Sequence, residues 1–226
     1  MARGSPFFDD RSEAGRKLAL RLQSTPQDPT TIVIGLVRGG VPVAYEVAKA
    51  LHLPLLAMVV RKIGAPGQPE LALGALAPGN TYVLNETVAQ GLHLGPSEIA
   101  KALRRARAEL RRHEQIYRQA QPALSLRSRP VLLVDDGLAT GSTMQAAVRA
   151  VRRNQAARVI IAVPVAPPDV CSELGKRADE LVCLEKPDPF WAVGAWYWNF
   201  APVSDEEACQ LLRQAREAPG GMAAVR

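Results

Sequence analysis

Runs of apolar residues along the chain predict the strands of a buried sheet. The four strongest runs occupy residues 31–37, 55–62, 131–135 and 158–166. Nearly continuous apolar, β-branched runs of this length are typical of strands that are covered on both faces, as in a parallel sheet. Shorter strands are predicted near 71–77 and 81–85, and ELVCLEK predicts another at 180–186.

Segments with apolar residues at helical spacing separate these runs. The predicted helices span residues 11–22, 41–51, 97–121, 142–153, 169–176 and 204–216. Alternating strands and helices predict an α/β fold, a Rossmann-like parallel sheet flanked by helices. The sequence has neither an internal repeat nor a linker long enough to divide it, so we expect a single domain over 1–226 with a frayed tail at 218–226.

Composition narrows the class of protein. The chain has 226 residues, 47% of them hydrophobic, which is enough to form a substantial core. Its apolar runs are shorter than the roughly 20 residues that span a bilayer. The first residues, MARGSPFFDDRSEAG, lack the apolar region of a secretory signal. We therefore expect a cytoplasmic protein that does not bind membranes.

Cysteine and histidine do not form a metal-binding pattern. The three cysteines, Cys171, Cys183 and Cys209, are odd in number and widely spaced, and the three histidines are scattered. A zinc site or a disulfide framework is therefore not predicted, and ordinary reduced cysteines are the preferred interpretation.

The positive charge is concentrated in one segment. The net charge is +6 and the isoelectric point about 9.5, which suits anionic partners such as nucleic acid or phosphorylated ligands. Residues 97–121 contain seven basic and three acidic side chains, so this helix supplies +4 of the +6. A solvated face or a dimer element is the favoured interpretation. RNA binding is less favoured because Tyr117 is the segment's one aromatic residue.

The segment VLLVDDGLATGST, at residues 131–143, combines a buried strand with a loop that opens a helix. The amides at a helix start attract phosphate, and Thr140, Ser142 and Thr143 add hydroxyl donors. Asp135 and Asp136 are strong acceptors for the hydroxyls of a diol. A ribose 5-phosphate offers both groups. The Walker A and G-x-G-x-x-G patterns are absent, and a plain strand–turn–helix with a capping Asp is the alternative.

This segment resembles the phosphoribosyl pyrophosphate (PRPP) motif of type I phosphoribosyltransferases: four apolar residues, two acids, three variable residues and T-G-[GS]-T. VIGLVRGGVP is similar to the family's pyrophosphate loop, and VVRKIGAPGQPE to its mobile catalytic loop. FFDDRSEAGRKLA and KPDPFWAVGAWYWNF resemble segments of a bacterial subgroup of this family. The resemblance implies the type I phosphoribosyltransferase fold, with a core at about 25–170 and a small C-terminal hood at about 171–217 that the N-terminal helix joins.

The resemblance also implies roles for the PRPP site. Asp135 and Asp136 would bind the ribose hydroxyls, partly through Mg²⁺ and water. The loop that holds PRPP would continue with Gly137, Leu138, Ala139, Thr140, Gly141, Ser142 and Thr143. Pyrophosphate would be bound by Arg38, Gly39, Gly40, Arg61 and Lys62. The alternatives are a simple turn at 38–40 and a solvated strand end at 61–62. A homodimer and a non-proline cis peptide bond at Val37–Arg38 are further expectations.

The base acceptor would bind in the hood. Six of the chain's eleven aromatic residues (4 Phe, 4 Tyr and 3 Trp) lie within 190–200. The candidate acceptor-binding residues are Phe190, Trp191, Trp198 and Asn199, with Trp191 at the stacking position. Packing of the hood against the core is the alternative role for these aromatic rings. Residues 63–70 are predicted to form an exposed, mobile lid, and Glu70 is the candidate for proton transfer at the base, with a solvated Glu as the alternative.

One departure from the family pattern bears on the acceptor. Members that use 6-oxopurines place an acid directly before the TG, where this chain has Ala139. We therefore expect a purine-like nitrogen base other than hypoxanthine or guanine. Three hypotheses follow: a Mg²⁺-dependent phosphoribosyltransferase, a regulatory protein that senses PRPP or a nucleotide with little or no catalysis, and a general phosphosugar-binding module.

Overall fold

The structure, a computed structural model, describes residues 5–24, 28–121 and 124–218. Its helices are α1 (Arg11–Gln23), α2 (Gly40–Leu51), α3 (Glu86–Gly91), α4 (Pro96–Arg118), α5 (Ser142–Arg153), α6 (Pro168–Gly175) and α7 (Asp205–Glu217). Its strands are β1 (Ile32–Leu36), β2 (Leu55–Met58), β3 (Arg61–Ala65), β4 (Gln68–Ala77), β5 (Thr81–Leu84), β6 (Pro130–Val134), β7 (Arg158–Val165) and β8 (Glu180–Glu185). A 3₁₀ turn spans Val193–Trp196.

Five parallel strands form the main sheet, in the order β2-β1-β6-β7-β8. This confirms the predicted α/β architecture and places β6 at the centre of the sheet. Along the chain, β1 is followed by its neighbour β2 on one side of the sheet, and β6 is followed by β7 and β8 on the other side. The strand order therefore reverses between β1 and β6, and in sheets of this kind ligands bind beyond the carboxyl ends of the strands at that point.

Alternate residues of each central strand enter two different cores. Val33 and Leu132 pack with α2 and α7 on one face, whereas Ile34 and Leu133 pack with α5 on the other. Both faces are thus covered, which explains why these strands read as continuous apolar runs. Within the described part of the chain, none of the helices is long and apolar enough to cross a membrane.

The prediction of one strand over 55–62 is wrong, and so is that of a mobile loop over 63–70. The chain leaves the parallel sheet after Met58, and Arg61 begins a separate antiparallel sheet in the order β3-β4-β5. Ile63 and Ala65 are buried against Leu103 and Ala106 of α4. These alternate apolar positions anchor β3, whereas residues 66–71, in the turn and the start of β4, are exposed. The strands predicted near 71–77 and 81–85 are confirmed by β4 and β5.

The part of the C-terminal region that lies outside the core does not begin near residue 171, the boundary expected for the hood. Residues 180–185 form the fifth strand of the main sheet, and α7 packs on α2. The part outside the core is residues 186–203, which run beside the N-terminal segment: Trp198 N–H donates to Phe8 O (2.9 Å) and Asn199 N–H to Asp9 O (2.8 Å). β8 joins the sheet because Val182 fills the apolar core. The tail expected at 218–226 lies, beyond residue 218, outside the described residues.

Candidate functional site

Two loops meet where the strand order reverses. Gly35 of β1 pairs with Val134 of β6, so the loop after β1 (37–40) and the loop after β6 (135–143) emerge side by side. Each loop leads into a helix, α2 at Gly40 and α5 at Ser142. Two helix N-termini, with their partial positive charge, therefore face the same edge of the sheet.

Glycine is required where the first loop touches the acid pair. A Cβ atom on Gly39 would lie 2.0 Å from Asp136 Oδ2, and one on Gly40 would lie 2.9 Å from Asp135 Oδ1. Any larger residue would displace the carboxylates. The peptide bond between Val37 and Arg38 is cis, which confirms the prediction for this loop. The structure thus brings the predicted pyrophosphate loop and the predicted diol-binding acids into contact.

The loop after β6 is anchored at its start and open at its end. Leu138 is buried, and its N–H donates to Val165 O (2.9 Å). Gly141 caps α5 with a φ of 71° and brings no side chain to the amides of the first turn. Thr140 and Thr143 are exposed, and Thr140 Oγ1 lies 3.3 Å from Ser142 Oγ. Amides and hydroxyls therefore present donors where a phosphate would bind.

Sequence reasoning missed the residues that hold Asp136 in place. Arg11 Nε donates to Asp136 Oδ2 (2.8 Å), and the Tyr197 hydroxyl donates to the Asp136 carbonyl oxygen (2.5 Å). The Arg11 guanidinium lies 3.8 Å above the centre of the Phe200 ring. An isolated Arg at a helix start carries no motif. Only the resemblance of FFDDRSEAG and KPDPFWAVGAWYWNF to one subgroup pointed to these two segments.

The surroundings of the acid pair disfavour its ionised form. Burial raises the pKa of Asp135 well above its ordinary value, and the neighbouring charge of Asp136 raises it further. Burial also raises the pKa of Asp136, and Arg11 opposes that shift. A divalent cation would stabilise the ionised form of both carboxylates. Within the described residues no cluster of three or more His, Cys, Asp or Glu could hold a metal. Mg²⁺ is typically bound by one or two carboxylates together with substrate phosphates, and Asp135 and Asp136 could supply such carboxylates.

The basic side chains predicted to bind pyrophosphate are only partly brought together. Arg38 is exposed on its loop. Arg61 Nη2 donates to Glu109 Oε2 (3.0 Å) on α4. Burial lowers the pKa of His113, and the charge of Arg61 lowers it further. The predicted pyrophosphate cation Arg61 is thus already paired with an acid of α4.

Lys62 and Glu70 pair with each other on the hairpin. Lys62 Nζ donates to the Glu70 carbonyl oxygen (2.6 Å) and lies 3.5 Å from its Oε2. The Glu70 side chain is 99% exposed. This arrangement corresponds to the solvated-Glu alternative, and the structure does not bring Glu70 to the acid pair.

The aromatic residues of 190–200 divide into packed and exposed groups. The Phe190 ring centre lies 6.2 Å from that of Trp196, which is buried. Trp191 and Trp198 are 67% and 72% exposed and are free to contact a ligand. Asn199 is exposed, and its Oδ1 accepts a hydrogen bond from Ala201 N–H (3.2 Å). Packing thus accounts for Phe190 but not for the two exposed tryptophans.

Comparison with known proteins gives one consistent family. The model of the phosphoribosyl transferase domain matches residues 10–201. Two Mycobacterium tuberculosis proteins, “Putative phosphoribosyl transferase Rv0571c” and “Putative phosphoribosyl transferase MT0597”, are each 44% identical over 209 residues, 92% of this chain and 47% of theirs. The chain therefore spans about half the length of these curated relatives. The crystal structure of TT1426 from Thermus thermophilus is 42% identical, has a TM-score of 0.78, and is matched over 92% of this chain and 98% of that one.

Proposed function

The chain belongs to the phosphoribosyl transferase family, and we propose that it transfers the 5-phosphoribosyl group of PRPP to a nitrogen base and releases pyrophosphate. Mg²⁺ would accompany PRPP as cofactor, and the acceptor would be purine-like. A homodimer and a cytoplasmic location stay predictions from the sequence.

One observation carries the proposal: two carboxylates and a glycine-bearing loop are in contact beside an uncapped helix start. Asp136 Oδ2 leaves no room for a Cβ on Gly39. Gly141 opens α5 without a side-chain cap. Diol acceptors, amide donors for the 5-phosphate and the predicted pyrophosphate loop thus share one edge of the sheet. This is the set of groups that a phosphorylated ribose with a second anionic group requires.

Different residues of the site would bind different parts of PRPP. Asp135 and Asp136 would accept the ribose hydroxyls, and the donors of Thr140, Ser142 and Thr143 would hold the 5-phosphate. Displacement of pyrophosphate at the anomeric carbon passes through a cation-like sugar, so positioning and water exclusion matter more than a covalent intermediate.

Charge must also be balanced at the leaving group. Mg²⁺, held through Asp135 or Asp136 directly or through water, would supply positive charge beside the departing pyrophosphate. Arg38 and the amides of Gly39 and Gly40 would add donors there. Arg61 and Lys62 would contribute only after they exchange Glu109 and Glu70 for the substrate.

The second candidate function is the sensing of PRPP or a nucleotide with little or no catalysis. It is favoured by the hairpin, where Arg61 is paired with Glu109 and the candidate proton handler Glu70 points into solvent. A protein that only binds PRPP needs the acid pair and the phosphate loop but not the hairpin side chains. RNA binding through the exposed arginines of α4 would accompany this second function.

A panel of nitrogen bases with PRPP and Mg²⁺, scored by pyrophosphate release, separates the two functions. Turnover of a base supports the transferase, whereas PRPP binding without turnover of any base supports the sensor. If PRPP does not bind in the presence of Mg²⁺, the transferase and the PRPP sensor both fail, and a nucleotide sensor or the general phosphosugar-binding module remains.

The variant Asp136→Asn tests the site itself. We expect PRPP binding to weaken by roughly 1.5–3 kcal/mol, the value of a hydrogen bond to a charged group. Asp179→Asn is the control, because Asp179 lies at the amino end of the sheet, where it accepts from Val159 N–H (2.7 Å). Equal PRPP affinity of Asp136→Asn and the wild type by calorimetry would remove Asp136 from the site.

A further inference from the structure

A cleft of about 600 Å³ separates the β3–β4 hairpin from the first half of α4. Its charged lining consists of four basic and two acidic side chains: Arg61, Lys62, Lys101, Arg105, Glu70 and Glu109. Among the described residues that line it, none belongs to the loops 37–40 and 135–143. The cleft therefore shares Arg61 and Lys62 with the proposed PRPP site but is otherwise built from different elements.

The lining has an excess of two positive charges, four basic against two acidic side chains. Lys101 and Arg105 are four residues apart, so they project from the same face of α4. Arg105 is 79% exposed and lies 3.4 Å from Glu109 Oε1. In the described part of the chain, the buried Arg61 Nε has no hydrogen-bond partner. The two acids thus leave part of the basic charge of the lining unneutralised, and a multivalent anion could neutralise it.

The uncharged lining indicates how such an anion would be recognised. It is formed by small or ring-shaped aliphatic residues: Gly64, Ala65, Pro66, Gly67, Pro69, Ala102 and Ala106. None of these can stack on a base or read its edge with a side chain. The volume falls within the roughly 300–1,000 Å³ of small-molecule sites. Recognition in this cleft would therefore depend on charge and on phosphate oxygens.

We propose that this cleft is a second anion site, which binds a small polyphosphate between the hairpin and α4. The bound polyphosphate engages Arg61 and Lys62 from the α4 side and so competes with the pyrophosphate end of PRPP for these two cations. Binding in the cleft does not depend on the proposed transferase function. The competition with PRPP does rest on that function.

Calorimetry with inorganic tripolyphosphate, in a buffer of low ionic strength that contains EDTA, tests the binding. Without a divalent cation, and at a pH high enough to ionise the acid pair, the carboxylates of Asp135 and Asp136 repel a polyphosphate, so binding at the PRPP loops is suppressed. We expect the wild type to bind tripolyphosphate, and Lys101→Glu/Arg105→Glu to bind it about tenfold more weakly or worse, because two charge-assisted contacts become repulsive.

The matched control is Arg104→Glu/Arg111→Glu. These arginines are also exposed on α4 and undergo the same change of charge, but they do not line the cleft. The control should keep most of the wild-type affinity. If both double variants lose affinity equally, tripolyphosphate responds only to the general charge of α4, and the proposal of a site in the cleft is wrong. The absence of tripolyphosphate binding by the wild type would also overturn it.

PRPP binding at constant free Mg²⁺ separates this site from the proposed active site. Lys101→Glu/Arg105→Glu should bind PRPP like the wild type, and tripolyphosphate should weaken PRPP binding more in the wild type than in this variant. If the variant loses PRPP affinity as well, the cleft is part of the PRPP site and not a second site. If no base is turned over, the proposed transferase function fails. Tripolyphosphate binding measured in EDTA still decides whether the second anion site exists.

Discussion

The Arg11 guanidinium donates from Nε to Asp136 Oδ2 at 2.8 Å and joins two residues that lie 125 positions apart in the chain. The same guanidinium donates from Nη1 to Ala201 O (2.8 Å) and lies over the Phe200 ring. One side chain therefore connects the N-terminal helix, the C-terminal segment and the acid pair. The orientation of Asp136 depends on segments that lie outside the phosphate-binding motif.

Arg11→Ala should lower both stability and PRPP affinity. The side chains of Arg11 and Asp136 are only 11% and 14% exposed, so the substitution leaves a largely buried carboxylate without its cation. We expect the free energy of unfolding to fall by about 1–3 kcal/mol, and partial protonation of Asp136 keeps the loss from being larger. Denaturant unfolding measures the change.

Arg16→Ala is the control for this change. Arg16 lies on the same helix and forms an ion pair with Glu46 at 3.6 Å, but its side chain is 58% exposed. Exposed pairs contribute little, so we expect less than about 1 kcal/mol. Equal losses in the two variants would mean that Arg11 acts as an ordinary surface residue and that Asp136 does not depend on it.

Gly39→Ala should disrupt the site, because the new Cβ would lie 2.0 Å from Asp136 Oδ2. Either the carboxylate or the loop must move, and both would misplace groups assigned to PRPP. We expect PRPP affinity to fall at least about tenfold, which corresponds to about 1.4 kcal/mol. Gly175→Ala is the matched control, since a Cβ there meets nothing within 4 Å. Unchanged PRPP affinity in Gly39→Ala would show that this contact is not part of the binding site.

The sequence predicted the parallel sheet well because β1, β6 and β7 are covered on both faces and therefore appear as uninterrupted apolar runs. It also located the acid pair and both loops, because these form a contiguous motif. The hairpin was mistaken for a loop, since Pro66, Gly67 and Pro69 suggest irregular chain, whereas the burial of Ile63 depends on α4, about forty residues later. Arg11 could not be found because its partner is distant and a single Arg gives no periodic signal.

The acid pair should make stability fall as pH rises in the absence of metal. In the folded chain the pKa of Asp135 lies well above the ordinary value of 3.8, because of burial and then the charge of Asp136. Between the unfolded and folded values, the folded chain holds a proton that the unfolded chain has released. The stabilisation is complete below about pH 3.8 and is lost as pH rises through the raised pKa. Each pH unit between the two pKa values corresponds to about 1.4 kcal/mol of unfolding free energy.

Denaturant unfolding from about pH 4 to pH 8 in EDTA measures this slope. Asp135→Asn keeps an oxygen that can accept from Asp136 N–H but cannot ionise, so its profile should be flatter than that of the wild type. Groups with shifted pKa values outside the acid pair are common to both proteins and cancel in the comparison. Parallel profiles for the two proteins would contradict the raised pKa of Asp135. Added Mg²⁺ should stabilise the wild type most at the higher pH values, where the carboxylates are ionised.

The side chains at positions 139 and 199 bear on which base the protein would accept. Ala139 is exposed beside the phosphate loop and offers no acid to handle the proton of a 6-oxopurine. Hydrogen bonds to a base edge discriminate more sharply than stacking does. Asn199 is the amide side chain of the segment 190–200, and its Oδ1 already accepts from Ala201 N–H. We therefore expect hypoxanthine and guanine to be poor acceptors, and adenine or a non-purine aromatic base to be better. Efficient turnover of guanine would refute the argument from Ala139.

Trp191→Ala tests the stacking role within the same prediction. Trp191 is 67% exposed, so core packing does not account for it. Its removal should weaken acceptor binding by about 1–3 kcal/mol, the value of one base–aromatic stack, and leave PRPP affinity unchanged. Leu20→Ala is the control, because Leu20 is an apolar side chain of similar exposure, 69%, that lies on α1. Because stacking acts on the acceptor alone, KM for the base should rise while KM for PRPP stays constant. Normal acceptor affinity in Trp191→Ala would leave this tryptophan without a role in the site.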